Sequence, residues 1–73
     1  MDTTFQTEFN RRMAEKNWTP AHMSAALTDR GYPVTVFAVM RWAAGETMPR
    51  SEILPFVADA LGCTPNDLLG VAA

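Results

Sequence analysis

The sequence is short of almost everything that metal, redox or membrane chemistry requires. A single cysteine, Cys63, excludes an intramolecular disulfide, and a single histidine, His22, leaves no His/Cys set for a structural zinc site. No metal and no cofactor is therefore expected. No apolar run approaches the roughly 18 residues needed to cross a bilayer. The start, Met1-Asp2-Thr3-Thr4, lacks the basic and apolar segments of a signal peptide, so a cytoplasmic protein with no membrane partner is expected. Internal repeats, low-complexity tracts and long linkers are missing too. So are paired carboxylates beside an obvious cleft, a Ser-His-acid order and a phosphate-cradling glycine loop, and an enzyme is not expected. Basic residues are also few: 6 Lys and Arg stand against 8 Asp and Glu, for a net charge of −2. Affinity for phosphate comes mostly from Lys and Arg, so a broad basic surface is excluded. The distribution is uneven, however. Residues 1–41 hold Arg11, Arg12, Lys16, Arg30 and Arg41, whereas 42–73 hold only Arg50 against Glu46, Glu52, Asp59 and Asp67.

What is present is apolar. Of 73 residues 48% are hydrophobic, with 5 Met and 4 Phe, enough for one small core and too much for a disordered chain. A domain of this size buries only about 60% of its unfolded surface, so its stability is modest. One domain spanning 1–73 is expected.

Glycine and proline divide the chain into five helical segments, at about 4–16, 20–30, 36–44, 52–61 and 65–69. The first carries Phe5, Phe9 and Met13 at spacing four, a stripe for the core, and Asn17 stops it. Thr19-Pro20 reads as an N-cap with proline at the first helical position, opening a segment with Met23, Ala26 and Leu27 that Gly31 ends. After the turn Tyr32-Pro33-Val34, Thr35 caps a third helix, with Val39 and Trp42 on one side and Gly45 as its stop. Its β-branched first half leaves a short strand as the competing assignment. Ser51 is expected to cap the fourth helix, and Thr64-Pro65 opens the last. Cys63 reads as a buried, inert thiol, and Trp18 and Trp42 as core rather than ligand-stacking residues.

Five short helices in this order resemble the lambda-repressor-like, Cro-type helix-turn-helix family. The resembling pieces are Ala14-Glu15-Lys16-Asn17-Trp18-Thr19, Val34-Thr35, Val39, Arg41-Trp42, Gly45 with Pro49, and Ala58 to Thr64 followed by Asp67-Leu68-Leu69. The sequence departs from the pattern in two places. Thr28 to Pro33 makes a longer connection between the second and third helices, and Met13 and Ala43 stand where many members pair an arginine with a glutamate. Replacing both partners of a buried pair by apolar residues is physically reasonable, whereas losing one would strand a charge.

The resemblance implies an all-α domain that binds double-stranded DNA as a transcriptional regulator, with helices two and three forming the helix-turn-helix. By the family's geometry, Thr35, Val36, Phe37, Met40 and Arg41 would meet base edges, and Thr19, His22, Arg30, Thr47 and Arg50 would meet phosphates. A homodimer is implied as well, since one short helix offers few contacts, with Leu54, Phe56, Leu68, Leu69 and Val71 as its surface. Val36, Phe37 and Met40 have three open fates: contact with thymine methyls, burial through a rotated helix, or a protein interface. The rival expectation is a protein-binding module on the same scaffold that has lost DNA affinity. Small size and architecture suggest, by analogy, a phage or mobile element.

Overall fold

In the computed structural model, which describes residues 4–70, the five segments are helices: α1 (Thr4–Glu15), α2 (Pro20–Asp29), α3 (Val36–Ala44), α4 (Leu54–Leu61) and α5 (Pro65–Leu69). No strand occurs among the described residues, so the competing assignment for 36–44 falls. No described helix is long and apolar enough to cross a membrane.

Most ends form as their local chemistry dictates. Asn17 takes a left-handed φ of 56°, which asparagine tolerates, and the Trp18 N–H donates back to the Met13 carbonyl at 2.9 Å. Thr35 Oγ1 accepts from the Ala38 N–H at 3.1 Å, and Thr64 Oγ1 accepts from Asp67 N–H at 3.2 Å while the Asp67 carboxylate accepts from Thr64 N–H at 3.0 Å. α4 differs from expectation. It begins at Leu54 rather than 52, and Ser51 is not its cap: residues 51–53 form a turn in which the Arg50 carbonyl accepts from Ile53 and Leu54. The Pro55 ring would meet the residue 51 carbonyl in a helix started earlier, so regular helix begins with Pro55 already in its first turn.

The principal helix contacts run α1–α3–α2–α4–α5 and back to α1, a closed circuit around one cluster of buried side chains. The Cα radius of gyration is 11.0 Å, close to the ~11 Å expected for a compact chain of this length. Phe5 and Phe9 of α1 stack with ring centroids 5.3 Å apart, and Trp42 of α3 meets Phe9 edge-on at 6.2 Å. Met23 and Leu27 of α2, Val57 of α4 and Leu68 of α5 close the interior. Met13 is buried in that cluster and Ala43 packs against it, so a charged side chain at either position would have to be desolvated.

Two polar clamps fix α3. The Ala43 carbonyl accepts from Asn10 Nδ2 at 2.9 Å and Gln6 Nε2 at 3.2 Å, tying the end of α3 to α1. Ser24 Oγ donates to the Val34 carbonyl at 2.7 Å, tying the connection to α2. In that connection Gly31 takes a left-handed φ of 86°, and the Tyr32 ring lies 4.3 Å from that of Phe56 on α4.

Candidate functional site

α3 is a two-sided helix. Val39 and Trp42 point into the core, and the side opposite them carries Phe37, Met40, Arg41 and Ala44 at spacings of three and four, which places them along one stripe. These residues, with Glu46 just beyond the helix, line a shallow surface depression. Phe37 is 73% exposed, Met40 50% and Val36 38%, so the connection has not rotated them into the core; of their three open fates, burial is eliminated. Thr35 sits at the helix start, where its oxygen is already the cap acceptor and its hydroxyl hydrogen remains available.

Charge on this stripe is unusual for the molecule. Arg11 pairs with Glu8 and Glu15, Arg12 with Glu8, and Arg30 with Asp59, while Arg50 has Glu52 at 3.8 Å. Among the described residues Arg41 has no carboxylate partner, and α3 contains no acidic residue. The first turn of α2 has none either, so neither helix carries an acidic side chain of its own against the partial positive charge at its start.

The residues expected near phosphates separate into two groups. At the start of α2 the Thr19 N–H donates to His22 Nδ1 at 2.9 Å. His22 thus completes the cap, and with Nδ1 accepting, its Nε2 is the ring's donor. Trp18 lies beside it at 6.3 Å between ring centroids, under the Lys16 ammonium. Thr47 and Arg50 are exposed on the loop after α3, and Arg50 shares with Val34, Ala38, Trp42, Met48 and Ile53 an open cleft of about 400 Å³ beside that helix. Arg30 is engaged internally instead: its Nε donates to Asp59 Oδ2 and a terminal nitrogen to the Ala26 carbonyl, both at 3.0 Å.

The expected dimer surface needs correction. Leu68 is completely buried and Leu54 8% exposed, because both complete this chain's own core, and neither offers area to a partner. Phe56 is half-buried under Tyr32, and Leu69 remains 38% exposed. Val71 lies outside the described residues.

Burial pushes the half-buried Cys63 thiol up and keeps it protonated, against the opposing pull of Arg12. No group of three metal-ligating side chains forms among the described residues. Sequence reasoning passed over Ala44 and Glu46, although the spacing from Phe37 through Met40 and Arg41 leads directly to Ala44. It also passed over Gln6, Asn10 and Ser24, which hold α3 in place through backbone carbonyls that no side-chain pattern marks.

Compared with known proteins, the chain matches no family model, and no curated protein or solved structure matches it.

Proposed function

We propose that this chain is a sequence-specific DNA-binding transcriptional regulator of the Cro-like kind, with α2 and α3 as a helix-turn-helix and α3 as the reading helix. The observation that carries the proposal is the outward stripe of α3, where an arginine with no carboxylate partner among the described residues stands on a helix free of acidic residues. A guanidinium in that position suits bidentate donation to guanine O6 and N7. Thr19, His22, Thr47 and Arg50 then hold the backbone, using the positive end of α2 as much as formal charge. The reader works as a homodimer on two half-sites about one helical turn apart. Phe56 and Leu69 are the apolar residues of the fourth and fifth helices left to contribute to its interface. Such a regulator acts in the cytoplasm, on a bacterial or phage genome.

Selection of the purified chain on random-sequence duplex DNA at two salt concentrations tests this. A two-fold symmetric sequence should be enriched. With so few cations, the logarithm of affinity should fall only shallowly with the logarithm of salt, by about 0.9 per phosphate neutralised. Arg41→Ala should lower discrimination at one guanine per half-site by about 10- to 100-fold. Absence of enrichment at low salt overturns the proposal.

The net charge of −2 and the exposed Phe37 favour a second reading, a protein-binding module on the same scaffold. That reading gains if Arg41→Ala leaves a stable protein complex intact while no duplex is selected.

A further inference from the structure

We infer that α3 recognises its site chiefly through C5-methyl groups in the major groove, those of thymine or of 5-methylcytosine, with Arg41 supplying a single guanine contact. The inference rests on the DNA-binding reading and specifies what that reading leaves open.

The outward residues Val36, Phe37, Met40 and Ala44 have no hydrogen-bonding side chain, and Thr35, at the very start of the helix, has one lone pair committed to the cap and keeps only a single hydroxyl donor. Arg41 is therefore the only strong donor on the stripe. In the major groove each base edge presents a donor, an acceptor or both, and among the unmodified bases thymine alone adds a methyl group beside its O4 acceptor. An apolar side chain laid against a donor or acceptor strips water from it and returns nothing, which is unfavourable. Laid against a methyl it gains the burial of both surfaces. A helix with this stripe thus discriminates for methyl-bearing positions and against unmethylated cytosine.

The local charge of α3, as distinct from the net charge of the chain, favours DNA over a second copy of this acidic chain as the occupant. Arg41, on a helix without acidic residues, forms no ion pair among the described residues, although Glu46 lines the same depression, and the loop beside α3 adds Arg50, 83% exposed at its side chain and only 3.8 Å from Glu52. The phosphates of a duplex supply the counter-charge that Arg41 lacks among the described residues.

Spacing gives the order of contacts. Phe37 and Arg41 are one helical turn apart, about 6 Å along the axis at ~1.5 Å per residue, and base pairs step by about 3.4 Å along each strand. The methyl under Phe37 and the guanine under Arg41 accordingly lie about two base pairs apart. Cytosine methylated at C5 carries its methyl on the corresponding ring carbon, so methylation converts a disfavoured position into a favoured one.

The test uses the full chain and the duplex enriched from the random pool, copied with deoxyuridine in place of thymidine. Single replacements should weaken binding about fourfold at one or two thymines per half-site, the fold-change of burying one methyl-sized group, and should be silent elsewhere. Phe37→Ala and Met40→Ala should abolish the difference between thymine and uracil at one position each, and 5-methylcytosine placed there should bind more tightly than cytosine. Because both side chains are exposed, thermal unfolding of the variants should match that of the parent. Equal binding of the thymine and uracil duplexes, with selectivity retained, overturns the methyl inference and leaves the regulator reading standing. Failure to enrich any duplex at low salt overturns both.

Discussion

The outward sides of α1 and α3 both face solvent, yet they are built on opposite principles. On α1, Glu8 lies between Arg11 and Arg12, and Arg11 reaches on to Glu15 at 3.0 Å, so the charges satisfy one another within the helix. On α3, Phe37 and Met40 stand in water and Arg41 lacks a carboxylate partner among the described residues. Exposed pairs such as those of α1 add little stability, but they leave the surface inert. Nothing in folding accounts for the α3 stripe. Phe37 at 73% and Met40 at 50% exposed add little to the core, and their side chains satisfy no polar group.

The largest effect that separates the two sides lies within α3 itself. Trp42→Ala should cost about 3–5 kcal/mol, a large part of the stability of so small a domain. Phe37→Ala, five residues earlier on the opposite side, should stay within about 0.5 kcal/mol. Urea unfolding followed by circular dichroism measures both, and comparable losses would break the two-sided description of the helix.

Next in size is the junction at which α1 grips α3. Gly45 ends α3 with a left-handed φ of 77°, and a Cβ there would collide with Gln6 Oε1, the side chain that also holds the Ala43 carbonyl. Gly45→Ala should therefore cost about 1–2 kcal/mol in backbone strain. Adding Gln6→Ala should recover only the part due to crowding, and full recovery would show that the backbone is not strained.

Smallest is the dependence on pH, which should come from α1 and α5 and not from the α3 stripe. The side-chain hydrogen bond from Arg11 holds the Glu8 carboxyl below its ordinary value, and the Thr64 backbone N–H does the same for Asp67. Because both folded values are depressed, their stabilisation is fully present above the unfolded values of about 4.3 for Glu and 3.9 for Asp. It is lost as pH falls through the folded values. Melting temperatures measured from pH 6 to pH 2.5 should decline below about pH 4.5, and Glu8→Gln should flatten part of that decline. An unchanged acid limb in the Glu8 variant would remove the contrast between the two sides.

Much of the fold was legible in advance where its cause is local. Thr19-Pro20, Thr35, Gly45 and Thr64-Pro65 announce helix ends because caps are satisfied within one turn of chain, and those boundaries match. The start of α4 was misplaced because Ser51 offered a cap that the later Pro55 overrode. The candidate stripe was legible only as a set of residues. Every position of α3 except Arg41 is apolar, so periodicity had no polar face by which to say which side turns outward.

The sequence by itself determined that the chain is helical, where most helices end, and that Phe5, Phe9, Met13, Val39 and Trp42 seek an interior, because capping and amphipathic spacing act over a few residues. Tertiary structure decided which apolar residues were left over. Leu54 and Leu68 are consumed by the closed circuit of helices, whereas Leu69, Phe37 and Met40 are not. It also placed Asn10 and Gln6 on the Ala43 carbonyl and engaged Arg30 with Asp59. The physical reason is range: burial and cross-helix hydrogen bonds depend on where elements distant in sequence come to lie, and a nearly all-apolar helix takes its inward side from its neighbours.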